Sequence, residues 1–200
     1  MVLKVAVPAT ARDRGRVAPV KFAHIVFRTS QYEEMLDWYK TVLEAEVVIG
    51  TDFLSFLTYD DEHHRIGIAN IAGLSERNPR SAGVEHCAFT YANVDDLVST
   101  YERLRFEGIE PYWCINHGPT LSFYYRDPDM NQVELQIDIF DDTEAVNEWF
   151  LKSDFDINPI GVKFDPQDFI RRFKSGVPLD KLLKRPFIEP DKVGDQFPDD

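Results

Sequence analysis

The stretch "NHGPTLSFYYRDPDMNQVELQID", Asn116 to Asp138, decides the reading of this chain. It holds a histidine, a run of aromatics, an Asp-Pro turn and then one glutamate inside an apolar strand pattern. Alternation places Ser122, Tyr124 and Arg126 on one face of the strand before the turn. After the turn, Glu134 lies between Val133 and Leu135. An unpaired buried carboxylate costs several kcal/mol, so Glu134 needs a partner, and the search for it leads outward along the chain.

A repeat supplies candidates. "KFAHIVFRT" and "GVEHCAFTY" align, placing His24 opposite His86. The helical stretch "SQYEEMLDWYKTVL" aligns with "NVDDLVSTYERLRF", Tyr39 falling on Tyr101 at the same offset. Internal repetition sets architecture before any single element does. Each unit reads β-α-β-β-β, with strands "AEVVIG", "FLSFLTYD" and "HRIGIANI" in the first and "PYWCINH", "SFYYRDP" and "QVELQID" in the second. The expected fold is α+β: paired βαβββ modules forming a curved mixed sheet around a metal site, with a helical C-terminal extension. The expected boundaries are an N-terminal arm over 1–19, a first module over 20–72, a linker over 73–83, a second module over 84–139, and an extension over 140–200.

Local signals fill in the helices. Ser30 with Glu33 reads as a capping box before an apolar stripe of Met35, Leu36, Tyr39, Val42 and Leu43. In the extension, Thr143 and Asp165 read as N-caps and Gly176 as a stop. The Pro- and Asp-rich end beyond Arg185 reads as surface-draped or disordered. Asp60–Glu62 and Asp141–Asp142 read as solvated turns.

Composition excludes some classes. A net charge of −13 argues against nucleic acid and anionic membrane as partners. No eighteen-residue apolar run occurs, so neither a signal peptide nor a membrane span is expected. Cys87 and Cys114 read as reduced thiols of a cytoplasmic protein.

His24, His86 and Glu134 together form a two-His, one-carboxylate set of the kind that leaves positions open on iron(II). A lone strand histidine is more often a core or surface residue; two at equivalent repeat positions are harder to ascribe to chance. The motifs "AHIVF", "EHCAF" and "YYRDPDMNQVEL" resemble those of the vicinal oxygen chelate superfamily, which includes glyoxalase I, fosfomycin-resistance proteins and extradiol catechol dioxygenases. Met130 stands where that family's turn usually has Gly. The resemblance implies metal ligation by His24, His86 and Glu134.

Within the superfamily the second unit resembles the small extradiol enzymes most. Gly67 aligns with Glu134, and "RIGIANI" holds no acidic residue, His or Gln, so the fourth ligand typical of glyoxalase I is missing. The extradiol resemblance implies catalytic roles for His64, His117 and Tyr124; of the two neighbouring histidines, His64 shares a face with Ile66 and Ile68 and is expected to turn inward rather than His63. It implies iron(II), with manganese(II) possible, a 1,2-dihydroxyaromatic substrate with dioxygen, and a possible homodimer. Phe56, Tyr112, Trp113 and Phe123 are candidates to line the pocket. Competing readings are another metal-dependent reaction of the superfamily, such as a lyase, isomerase or thiol transferase, or a ligand-sequestering protein.

Overall fold

The computed structural model describes Gly15, residues 19–78 and residues 80–198. Apart from Gly15 and Pro19, the expected N-terminal arm lies outside the described residues.

Each unit builds the same sheet. In the first, strand β1 (Ile25–Thr29) precedes helix α1 (Tyr32–Leu43), then β2 (Glu46–Gly50), β3 (Leu54–Thr58) and β4 (Ile66–Asn70). The sheet order is β1-β4-β3-β2, with β1 parallel to β4 and the other pairs antiparallel. The second unit repeats this with β5 (His86–Thr90), α2 (Val94–Phe106), β6 (Trp113–Asn116), β7 (Thr120–Arg126) and β8 (Gln132–Asp138). Its order is β5-β8-β7-β6. Val26 pairs with Gly67 as Ala88 pairs with Glu134, so the repeat holds in register as well as in sequence.

The two units form separate mixed sheets rather than one continuous sheet. They share one core. Met35, Tyr39 and Val42 of α1 pack with Leu57 and Ile66, and the cluster continues through Leu97, Tyr125, Val133 and Leu135. Burying each large apolar side chain contributes about 1.5–3 kcal/mol. Polar contacts fasten the units as well. The Tyr39 hydroxyl donates to Asp127 (3.1 Å). Gln31 donates from its side chain to the Pro128 carbonyl and the Asp129 carboxylate. Arg103 donates to the carbonyls of Thr41 and Val42 at the end of α1.

That use of Gln31 corrects the expected capping box. The N-cap of α1 is Gln31, without a side-chain cap bond. Its backbone N–H is taken by Thr29 Oγ1, and its side chain is committed to the other unit. In α2 the cap is local, Asn93 accepting from the Asp96 N–H.

The extension is more ordered than its composition suggests. Helix α3 (Thr143–Lys152) is capped by Asp142, one residue before the expected Thr143. Asp165 caps α4 (Pro166–Lys174) as expected. Strand β9 (Val162–Lys163) adds to β6 as a fifth strand, and a short helix α5 (Leu179–Leu182) follows. Phe169, Ile170 and Leu182 join the core. Near the end, Gln196 accepts from the Trp113 indole and from the Lys163 N–H, so this segment lies along the sheet edge.

The turn between β7 and β8 depends on Asp127. One carboxylate oxygen accepts from the Asn131 N–H and the other from the Asn131 side-chain amide, both at 2.8 Å. Met130 takes the left-handed conformation (φ 64°) that glycine would adopt without strain. Asp127→Asn must set an amide NH₂ against one of these donors and is expected to lose about 1–3 kcal/mol of stability. Met130→Gly, at a half-exposed position, is expected to gain about 1 kcal/mol. Equilibrium denaturation of the two variants measures both.

Candidate active site

Glu134 sits at the middle of β8, between β5 and β7, and is 4% exposed. A central strand has neighbours on both sides, and here both supply polar groups. His86, at the start of β5, places Nε2 3.1 Å from Glu134 Oε2. Tyr124 lies directly opposite Glu134 on β7. Ser122 lies on the same face of β7 as Tyr124. His117, in the loop between β6 and β7, places Nε2 3.9 Å from Glu134 Oε1 and 3.1 Å from the Tyr124 hydroxyl. The partners that the strand pattern demanded for Glu134 are these.

The electrostatics follow. Burial works against Glu134 ionising, but the hydrogen bond from His86 and the Ser122 hydroxyl outweigh it and hold the carboxyl below its usual range. The bond to Glu134 raises His86 in turn. Burial lowers His117, whose Nδ1 contacts the Ile160 carbonyl. Burial and then the charge of Glu134 push the Tyr124 phenol well up, so it stays a neutral donor. The tyrosine ring is held between Trp113 (4.7 Å between centroids) and His86 (5.3 Å).

The first unit contributes a second cluster. Arg65 pairs with Asp60 through two nitrogens and donates to the carbonyls of Phe22 and Ala23. Lys21 pairs with Glu62. Glu62 is therefore a buried ion-pair partner rather than part of a solvated turn, because the chain entering β1 lies against it. These ties set His24 beside His64, with ring centroids 4.3 Å apart, and His64 lies equally close to Phe56. His63 turns outward, its side chain 70% exposed, and its Nδ1 meets His64 Nδ1 at 2.5 Å. Burial, then the neighbouring His24, lowers the pKa of His64.

The structure thus brings together His86, Glu134, His117 and Tyr124 in one unit, and His24 with His64 in the other. His24 is exposed and has the His64 ring for its neighbour. Among the described residues, no three His, Cys, Asp or Glu side chains cluster as a metal-holding group. The donor types suit a divalent metal all the same: imidazole nitrogen and a buried carboxylate match iron(II) or manganese(II). At Gly67, the repeat equivalent of Glu134, a Cβ would meet Val26 at 3.0 Å and Phe56 at 3.3 Å. Phe56 takes the place that Tyr124 takes in the other unit.

Phe123 is not a lining residue. It faces away from Tyr124, is fully buried, and packs on Tyr101 and Phe164; strand alternation requires this. Ser122 was placed by the same alternation. The contacts made by the extension around His117 had no local signal, since they come from residues over forty positions away.

In the metal-free protein, Glu134→Gln removes the charge that raises His86. The His86 pKa is then expected to fall, read by NMR titration of the ring protons. An unchanged value would mean that the pair at 3.1 Å is not formed in solution.

Comparison with known proteins is consistent with this geometry. The model of the Glyoxalase/Bleomycin resistance protein/Dioxygenase superfamily matches residues 21–135. The chain is 44% identical over 166 residues to biphenyl-2,3-diol 1,2-dioxygenase 2 of Rhodococcus globerulus, covering 82% of this chain and 87% of that relative. It is 41% identical over 167 residues to biphenyl-2,3-diol 1,2-dioxygenase 3 of the same organism, covering 82% and 88%. Among solved structures, a glyoxylase/bleomycin resistance protein/dioxygenase domain from Frankia sp. EAN1pec superposes with a TM-score of 0.50 at 17% identity, over 60% of this chain and 99% of that one.

Proposed function

Because the chain belongs to the glyoxalase/bleomycin resistance protein/dioxygenase superfamily, we propose that it is an extradiol dioxygenase. It opens the ring of a catechol-type 1,2-dihydroxyaromatic with dioxygen. The two Rhodococcus globerulus relatives are named for a biphenyl diol, and a substrate of that class is the first choice here. The observation that carries the reading is the Tyr124 hydroxyl held at 3.1 Å by His117 beside the buried Glu134. A phenol and two imidazoles around a carboxylate are of little use to a protein that only sequesters a ligand.

His86, Glu134 and, by the repeat, His24 would hold iron(II), or manganese(II) with the same donors. Bound there, the metal would lower the pKa of the diol and pass its electrons to dioxygen. The remaining work belongs to side chains. Tyr124, kept neutral by burial and by Glu134, gives its one hydroxyl hydrogen to His117 and accepts at its oxygen from a hydroxyl of the diol, which orients the substrate. His117, kept neutral by burial, accepts from Tyr124 at Nε2 and steadies that hydroxyl. His64 has Nδ1 against His63, which leaves Nε2 to take up and return a proton during ring opening. Trp113 and Tyr112 flank Tyr124 and keep water from it.

The free thiols Cys87 and Cys114 suit a reducing compartment. None of the helices among the described residues is long and apolar enough to cross a membrane.

Oxygen uptake by the iron-loaded protein with a panel of catechols, 2,3-dihydroxybiphenyl included, tests the proposal. His24→Ala, His86→Ala and Glu134→Ala are each expected to lose metal retention while keeping the fold, read by metal analysis and circular dichroism. Full metal retention in one of them would remove that residue from the ligand set. His64→Phe is expected to keep the metal and bind catechol yet lose at least about a hundred-fold in ring cleavage. His63→Phe should lose little, because its side chain points outward. Turnover of a non-aromatic substrate, with no oxygen uptake on any catechol, would move the protein to another reaction of the superfamily.

A further inference from the structure

The chain beyond β8 returns to one loop of the site. His117 Nδ1 contacts the Ile160 carbonyl oxygen. A carbonyl oxygen only accepts, so Nδ1 carries the hydrogen, and in the neutral ring Nε2 is left as the acceptor facing Tyr124. Ile160 is itself held. Asn158, wholly buried, accepts from the backbone N–H of Ile160 and Gly161 at 3.1 and 2.9 Å and donates to the Gly161 carbonyl at 2.8 Å.

Arg185 joins the two segments. Its side chain is 4% exposed. One guanidinium nitrogen donates to the His117 carbonyl (3.2 Å) and to the Asn158 carbonyl (3.0 Å). Another pairs with Asp154. The guanidinium carbon lies 4.9 Å from the centre of the Trp149 ring. That ring in turn covers Gly118, where a Cβ would come within 2.1 Å of it. A buried arginine that spends donors on both the histidine's own backbone and the loop that its ring touches does more than close the surface.

We propose that Arg185 is a positioning residue for His117: it clamps the 158–161 loop against the 117–118 turn, and so holds the imidazole in the Nδ1-protonated tautomer with Nε2 turned to Tyr124. The catalytic consequence rests on the ring-cleavage reading above. The tautomer does not, and it can be measured without metal or substrate.

The experiment is long-range nitrogen–proton NMR of the histidine rings in metal-free protein, with His117→Asn to assign the signal. Wild type is expected to show His117 protonated at Nδ1 and bare at Nε2. Arg185→Met keeps the length and loses every donor. It should give a mixed or Nε2-protonated pattern in a chain that still folds by circular dichroism, and Arg185→Lys should restore part of the wild-type pattern. In the iron-loaded enzyme, Arg185→Met should retain its metal and lose about ten- to a hundred-fold in kcat, the scale of a misplaced group, with a smaller change in KM. Adding His117→Asn to Arg185→Met should cost little more, since both remove one function.

A folded Arg185→Met with the wild-type His117 pattern overturns the proposal. Should Arg185→Met fail to fold, Asp154→Asn decides, since it leaves the guanidinium in place with a weaker hold. It should shift the pattern the same way to a lesser degree, and no shift overturns the proposal. Absence of turnover by wild type with every catechol would count against the reaction, while the NMR result would still decide the role of Arg185.

Discussion

A carboxylate is buried at the centre of the second sheet, and the surrounding architecture answers to it. Removing Glu134 from water without compensation would cost several kcal/mol. Compensation comes from both flanking strands, which is possible only because β8 is an interior strand. His86 arrives from the parallel neighbour; Tyr124 and Ser122 arrive from the antiparallel one. His117 closes the ring from the loop before β7. A one-residue slip of β8 would send Glu134 to the opposite face, into the core of Tyr125, Val133 and Leu135. The tight Asp127–Asn131 turn at the start of β8 is what forbids that slip.

The first unit has the same register and a different content. Phe56 and Gly67 stand where Tyr124 and Glu134 stand, and Phe56 fills the space that a carboxylate would need. His24 keeps its repeat position but has His64 for a neighbour instead of an acid. The chain therefore carries two like frameworks, one built round a charge and the other round an aromatic ring. Tyr39, Gln31 and Arg103 bind the frameworks together across units. The polar contacts of Glu134 lie within one unit, and the other holds the His24–His64 pair.

Much of this was legible because strands and helices impose short periods on sequence. Alternation placed Ser122, Tyr124 and Arg126 on one face of β7, and the repeat paired His24 with His86 from the sequence alone. The inward turn of His64 followed from sharing a face with Ile66 and Ile68. The errors arose where a distant partner decides. Ser30 looked like a cap, but Gln31 stands there, its side chain drawn off to Pro128 and Asp129, almost a hundred positions on. Glu62 looked solvated, but Lys21 and the entering chain cover it. Phe123 was offered to the pocket although its own neighbour Tyr124 already claimed that face. Nothing local to Arg185 announces that it reaches His117, since no periodicity links the β6–β7 loop to the irregular stretch after α5.

That last contact has a consequence for how the protein is made. A chain leaves the ribosome N-terminus first. By residue 139 both βαβββ units have been synthesised, with the pair His86–Glu134 and Tyr124 among them. The carbonyl that fixes the His117 ring lies at 160, and the arginine that holds that carbonyl's loop in place lies at 185. The site is therefore complete only when the segment after β8, whose Phe169, Ile170 and Leu182 belong to the same core, has docked.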